Sequence, residues 1–121
     1  AGIAAGADSV LVCHNVVACM DPDLPASLSP KVHDILRREL RFDGVVMTDD
    51  LMMDAIKQYT GNEQAAVQAA QAGNDLLLAT DFDVQIPAVL QAVKEGKIPL
   101  EQVEQSVRRV LRWKMQLELL G

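Results

Sequence analysis

Basic stripes, long apolar runs and paired cysteine motifs are all missing from this sequence, and each absence removes a class of function. Eleven Lys and Arg stand against 17 Asp and Glu, for a formal charge of −6 over 121 residues. An acidic chain with no basic face argues against a nucleic-acid partner. The longest apolar runs are strand-length, far short of the roughly 20 residues a membrane span needs, so no membrane partner is expected. The two cysteines, Cys13 and Cys19, match no metal or redox spacing. Their apolar neighbours predict reduced, packed thiols, which says little about compartment.

The opening "AGIAAGADSVLV" has no initiator methionine, no charged n-region and no signal-peptide pattern. This favours a cytoplasmic location without fixing it. Residues Ala1 to Gly6 read as the last turn of a helix whose beginning is absent, so the chain is expected to be a piece of something longer.

Half of the residues are hydrophobic, which fits one globular domain. Three aliphatic runs, "DSVLVCH" (8–14), "DGVVMTD" (43–49) and "NDLLLAT" (74–80), predict short parallel strands covered on both faces. Helical patterns alternate with them. Ser29 and Pro30 supply an N-cap and first helical residue before Val32, Ile35, Leu36 and Leu40. "DLMMDAIKQY" (50–59) predicts a short helix directly after the second strand. "NEQAAVQAAQAG" (62–73) favours a helix ending at Gly73. "DVQIPAVLQAVKEG" (83–96) starts at a possible Asp83 cap, and the stretch 99–120 keeps Leu100, Val103, Val107, Val110 and Leu111 on one stripe.

Strand–helix alternation predicts βαβ units and a parallel sheet. Three strands are too few for a closed (β/α)₈ barrel, which takes about 250 residues. The chain is therefore either a small open sheet or a barrel's last three βα units. One long loop, "ACMDPDLPASLSP" (18–30), follows the first strand's carboxyl end, where α/β active-site loops lie.

In parallel α/β folds the strands' carboxyl ends face the ligand. His14, Asp49 with Asp50, and Asp81 with Asp83 all fall at such ends. Asp50 has a plain structural reading as a helix cap, and so does Asp83. Asp49 closes a hydrophobic strand, where an uncompensated charge is costly, so a functional and a structural reading both stand. His33 lies between the apolar positions of its helix and is expected to face solvent. Met47, Met52 and Met53 read as packing, and Trp113 as a core anchor of the final helix.

The run "RRELRFDGVVMTDDLMMDAI", preceded by "VLVCHNV…DPDLPASLSPKV" and followed by "AAVQAAQAGNDLLLAT", closely resembles glycoside hydrolase family 3 in its β-N-acetylhexosaminidase branch. The strand-ending "TDDLMM" is the most specific block, and the match covers essentially the whole chain. The resemblance implies the last three βα units of a (β/α)₈ TIM-type barrel, parallel strands with outer helices, over residues 1–121. It implies a retaining exo-glycosidase acting on terminal β-linked N-acetylglucosamine, as on peptidoglycan or chitin-type oligosaccharides. Asp49 would be the catalytic nucleophile, and His14 either a substrate-binding residue beside the sugar or a histidine hydrogen-bonded within the rim of the pocket. Neither family nor sequence suggests a metal or other cofactor.

The resemblance also places the acid/base, a histidine paired with an aspartate in a "KHFPGHG" neighbourhood, upstream of these strands. No such motif occurs here. General acid–base catalysis contributes about 10²–10⁴-fold, so this chain alone is expected to be inactive or nearly so. A three-stranded slice also leaves sheet edges and an apolar inner face open, predicting association with another copy or with the missing barrel half. Two other readings stay open: a non-catalytic interaction module derived from a barrel half, and a Mg²⁺-dependent phosphoacceptor domain.

Overall fold

A computed structural model of the chain describes residues 1–79 and 81–120. Strands β1 (Ser9–Val12) and β2 (Val45–Thr48) pair in parallel with Val10 opposite Val46 and Val12 opposite Thr48. Among the described residues five α-helices accompany them: α1 (Pro30–Asp34), α2 (Asp54–Lys57), α3 (Asn62–Ala72), α4 (Phe82–Lys94) and α5 (Leu100–Gln116). The chain is thus mixed α/β with a small parallel sheet.

The segment predicted as a third strand runs parallel along the other side of β2. Met47 bridges Leu76, and Thr48 N–H donates to the Leu76 carbonyl at 3.1 Å. The regular ladder then stops because Leu78 N–H donates to the Thr48 hydroxyl at 3.0 Å instead of to a backbone carbonyl. Its last predicted residue, Thr80, lies outside the described residues.

Alternation along the sheet separates two faces. Val12 and Val46 join Ala26, Leu36 and Phe42 in a buried cluster on the α1 side. On the opposite face Leu11 is 52%, Leu76 36% and Leu78 46% exposed. The expectation of strands covered on both faces is therefore met on one face only within this chain.

α1 begins as the sequence indicates. The Ser29 hydroxyl oxygen accepts Val32 N–H at 3.2 Å, and Pro30 fills the first position. It continues through a widened turn, Ile35–Glu39, closed by Leu40 N–H on the Ile35 carbonyl at 2.9 Å. α3 is rich in alanine and packs closely. Ala65, Ala66 and Ala69 pack with Leu28, Leu51 and Ile56, while Val67 meets Ala92 and Ile98. Gly73 ends it at φ 115°, a conformation that favours glycine.

Several expectations are corrected. The helix predicted over 50–59 shrinks to α2, because residues 50–53 close a turn with Met53 N–H on the Asp50 carbonyl at 3.2 Å. α4 opens at Asp81 as its boundary residue, with Asp83 inside the first turn and exposed. α5 carries its apolar stripe, but none of its residues is buried, and Trp113 is only half-buried. Val103 packs against the Val67, Ala92 and Ile98 cluster, while Leu100, Val107 and Leu111 of the same stripe stay exposed. Cys19 is exposed and Cys13 half-buried, both free thiols, so the packed-thiol expectation fails for Cys19.

His33 is also corrected. It is 3% exposed, with Nδ1 bonded to the Ser29 carbonyl at 2.8 Å and Nε2 to the Asn74 side-chain oxygen at 3.0 Å. Gly73 approaches the ring closely, and an added Cβ there would lie 3.4 Å from His33 Cβ. Asn74 in turn donates from Nδ2 to the Ser27 and Ala69 carbonyls, each at 2.8 Å.

Candidate active site

The parallel register carries three chain exits to one edge. β1 leaves through Cys13 and His14, β2 through Asp49 and Asp50, and the third extended segment toward Asp81. Asp49 keeps its backbone anchored to the sheet, its N–H donating to the Val12 carbonyl at 3.3 Å. Its Oδ1 accepts the Asp50 N–H at 2.8 Å, which fixes the carboxylate against the turn. Continuing the strand's alternation, Asp49 follows Met47 onto the open face, while Val46 and Thr48 face the covered side.

Asp50 does not cap a helix. Its Oδ1 accepts Met52 N–H at 2.9 Å, so the side chain closes the turn that displaced the expected helix start. The next peptide is tied to the third segment by Leu51 N–H on the Leu78 carbonyl at 3.0 Å. Leu51, 1% exposed, anchors the turn in the core.

His14 is buried and touches this turn. Its Nε2 lies 2.7 Å from the Asp50 carbonyl, and its Nδ1 lies 2.7 Å from the Ser27 hydroxyl. Ser27 sits in a short turn, Ala26–Leu28, held by its own N–H on the Cys13 carbonyl at 3.1 Å. The structure thus brings His14, Asp49 and Asp50 into one hydrogen-bonded group. Asp81 is drawn aside to Asn62, whose Nδ2 donates to its carboxylate, and Asp83 faces solvent.

Ser27 and Asn74 were not singled out from the sequence. Their bonds join residues 13 and 47 positions apart, a relation no local pattern reveals. Met52 and Met53 lie in the turn, half-buried and exposed respectively, and Met47 is half-buried on the open face. Among the described residues, no group of three or more His, Cys, Asp or Glu side chains is placed to hold a metal ion.

An apolar groove of about 610 Å³ lies elsewhere, among α3, α4 and α5, lined by Leu77, Phe82, Ile86, Val89, Leu90 and Val103. Gln85 also borders it. Its Nε2 donates to Asn62 at 2.9 Å, while its buried Oε1 has no donor among the described residues.

A parallel α/β chain with a strand-ending carboxylate set in a tied turn presents that carboxylate on the strands' carboxyl side, where such folds place ligands. Residues 1–113 match the glycosyl hydrolase family 3 N-terminal domain, and the chain belongs to that family. It is 48% identical over 80 residues, 64% of the chain and 23% of the relative, to a β-hexosaminidase of Stenotrophomonas maltophilia. A family 3 β-N-acetylglucosaminidase structure from Paenibacillus sp. superposes with a TM-score of 0.90 at 38% identity, over 98% of this chain and 24% of that one. A β-N-acetylhexosaminidase structure from Beutenbergia cavernae gives 0.83 at 35% identity, over 93% and 35%. The chain spans less than a third of the length of the curated relatives it matches.

Proposed function

We propose that residues 1–121 form the last three βα units of a (β/α)₈-type catalytic barrel, and that Asp49 is the nucleophile of a retaining exo-β-N-acetylhexosaminidase. The observation that carries this reading is the setting of Asp49: at a parallel strand's carboxyl end, on the open sheet face, with one oxygen fixed by the Asp50 amide. Membership of family 3 and relatives named as β-hexosaminidases support the reaction class. The open face of Leu11, Leu76 and Leu78, and the apolar groove beside α4, are the surfaces that further barrel units would cover.

The chemistry follows from the carboxylate. Its second oxygen attacks the anomeric carbon as the glycosidic bond breaks, giving a covalent glycosyl-enzyme of inverted configuration that the second displacement, by water, returns to the original one. A leaving-group oxygen needs a proton, supplied by an acid carried elsewhere in the complete domain. Water, deprotonated by the same group, then releases the sugar. A nucleophile on a rigid strand end is held near its attack position, which replaces entropy otherwise lost in reaching it. His14 belongs to the rim of the sugar pocket. The substrate is a terminal β-linked N-acetylglucosamine, with no cofactor required, and the isolated chain is inactive for want of the acid.

In the complete catalytic domain, Asp49→Asn lowers turnover of an aryl β-N-acetylglucosaminide by at least about 10³-fold. Near-normal turnover overturns the assignment. Supplying the remaining barrel in trans separates an enzyme part, which regains activity, from an interaction module, which does not.

A further inference from the structure

Two atoms of the His14 ring could bind a sugar hydroxyl, and the fold uses both. The Asp50 carbonyl can only accept, so Nε2 carries the hydrogen and donates across 2.7 Å. In the neutral ring Nδ1 is then the acceptor, and the Ser27 hydroxyl donates to it across 2.7 Å. Ser27 cannot drift, because its N–H is bonded to the Cys13 carbonyl at 3.1 Å and its carbonyl receives Asn74 Nδ2 at 2.8 Å. The ring is therefore clamped at one end to a buried turn and holds the Asp50 peptide at the other.

The neighbouring peptide matters to Asp49. The Asp50 N–H, on the Asp49–Asp50 peptide, donates to Asp49 Oδ1 at 2.8 Å, and the backbone dihedrals of Asp50 couple that N–H to the carbonyl that His14 holds. The Asp50–Leu51 peptide is held at its oxygen by His14 and by Met53 N–H at 3.2 Å, and at its nitrogen by the Leu51 N–H on the Leu78 carbonyl at 3.0 Å. Of the two donors to that oxygen, the one belonging to a separate element of the fold is His14.

We propose that His14 is a positioning residue, which aims the Asp49 carboxylate by holding the Asp50 carbonyl and does not hydrogen-bond the sugar. This rests on Asp49 being the nucleophile.

The test is made in the complete catalytic domain with an aryl β-N-acetylglucosaminide. His14→Leu lowers kcat by about tenfold to a hundredfold, the scale of a misplaced reacting group, with KM changed by less than about twofold. His14→Gln, which keeps an N–H where Nε2 stands, recovers most of the loss. Ser27→Ala shows a smaller loss of the same kind and serves where the leucine variant fails to fold. A raised KM at unchanged kcat would mean direct sugar contact and overturn the proposal, as would an unaffected kcat. ¹⁵N-histidine spectra, assigned by difference against His14→Gln, should place the ring hydrogen on Nε2, with Nδ1 bare and shifted by Ser27→Ala. A hydrogen on Nδ1 with Nε2 bare also overturns it. Retained turnover in Asp49→Asn defeats the nucleophile reading instead, while the spectra still report on the clamp.

Discussion

Arg37 reaches across 38 residues of sequence to donate to the Asp75 carboxylate at 2.6 Å. That side chain, fully withdrawn from solvent, also accepts Ser106 at 2.7 Å, Arg109 at 3.1 Å and Val46 N–H at 2.9 Å. One carboxylate thus ties the turn after α1, β2 and α5 to the start of the third extended segment. Burial lowers the Arg37 guanidinium from its ordinary range, and Asp75 acts in the opposite direction. Arg37 further donates to the Phe42 and Gly44 carbonyls at 3.0 and 2.6 Å, setting the entry to β2.

Removing one partner of a buried charge group strands the others. Asp75→Ala is expected to cost about 3–5 kcal/mol, read as a lowered urea midpoint. Asp43→Ala, which breaks an exposed pair with Arg112 at 2.8 Å, should cost less than about 1 kcal/mol. Equal effects would contradict the hub.

Gly44 is set by crowding rather than by an unusual dihedral. A Cβ there would lie 2.3 Å from the Asp8 carbonyl oxygen and 2.6 Å from the Phe42 ring. Gly44→Ala should therefore destabilise by about 1–3 kcal/mol through displacement of β1 from β2. Alanine tolerated without loss in a thermal melt would disprove the close approach.

Asp21 gives the chain an acid limb. The Ser29 hydroxyl donating at 2.5 Å, then the Asp23 N–H and nearby Lys31, hold its carboxyl below the usual 3.8. A lowered native value means the stabilisation is complete above 3.8 and is lost as pH falls through the native value. Asp21→Asn should flatten stability against pH in that range while lowering it near neutrality. An unchanged acid limb would refute this.

The uncovered sheet face predicts association. The isolated chain should scatter light as oligomers, and Leu11→Lys with Leu78→Lys should shift it toward monomer. A monodisperse monomer of the unaltered chain, measured at micromolar concentration, would count against open barrel surfaces.

Local pattern carried most of the elements. The Ser29–Pro30 start, the Gly73 stop and the cores of β1 and β2 depend on neighbours in sequence, and they stand where the residues place them. The departures arise where distant groups compete. The Asp50 side chain spends its hydrogen bond on a turn and so removes the first half of a predicted helix. The Thr48 hydroxyl takes the Leu78 amide and cuts short the third strand. His33 turns inward because Asn74, from another element, waits there for its ring.

The sequence by itself determined the order of strands and helices and put an aspartate at the end of a hydrophobic run, because periodicity and caps act within a few residues. Only the tertiary structure decided that His14 meets Asp50, that Ser27 stands behind His14, and that Asp75 gathers two arginines. Those contacts join residues far apart along the chain, and their hydrogen bonds exist only once parallel pairing has brought the segments together.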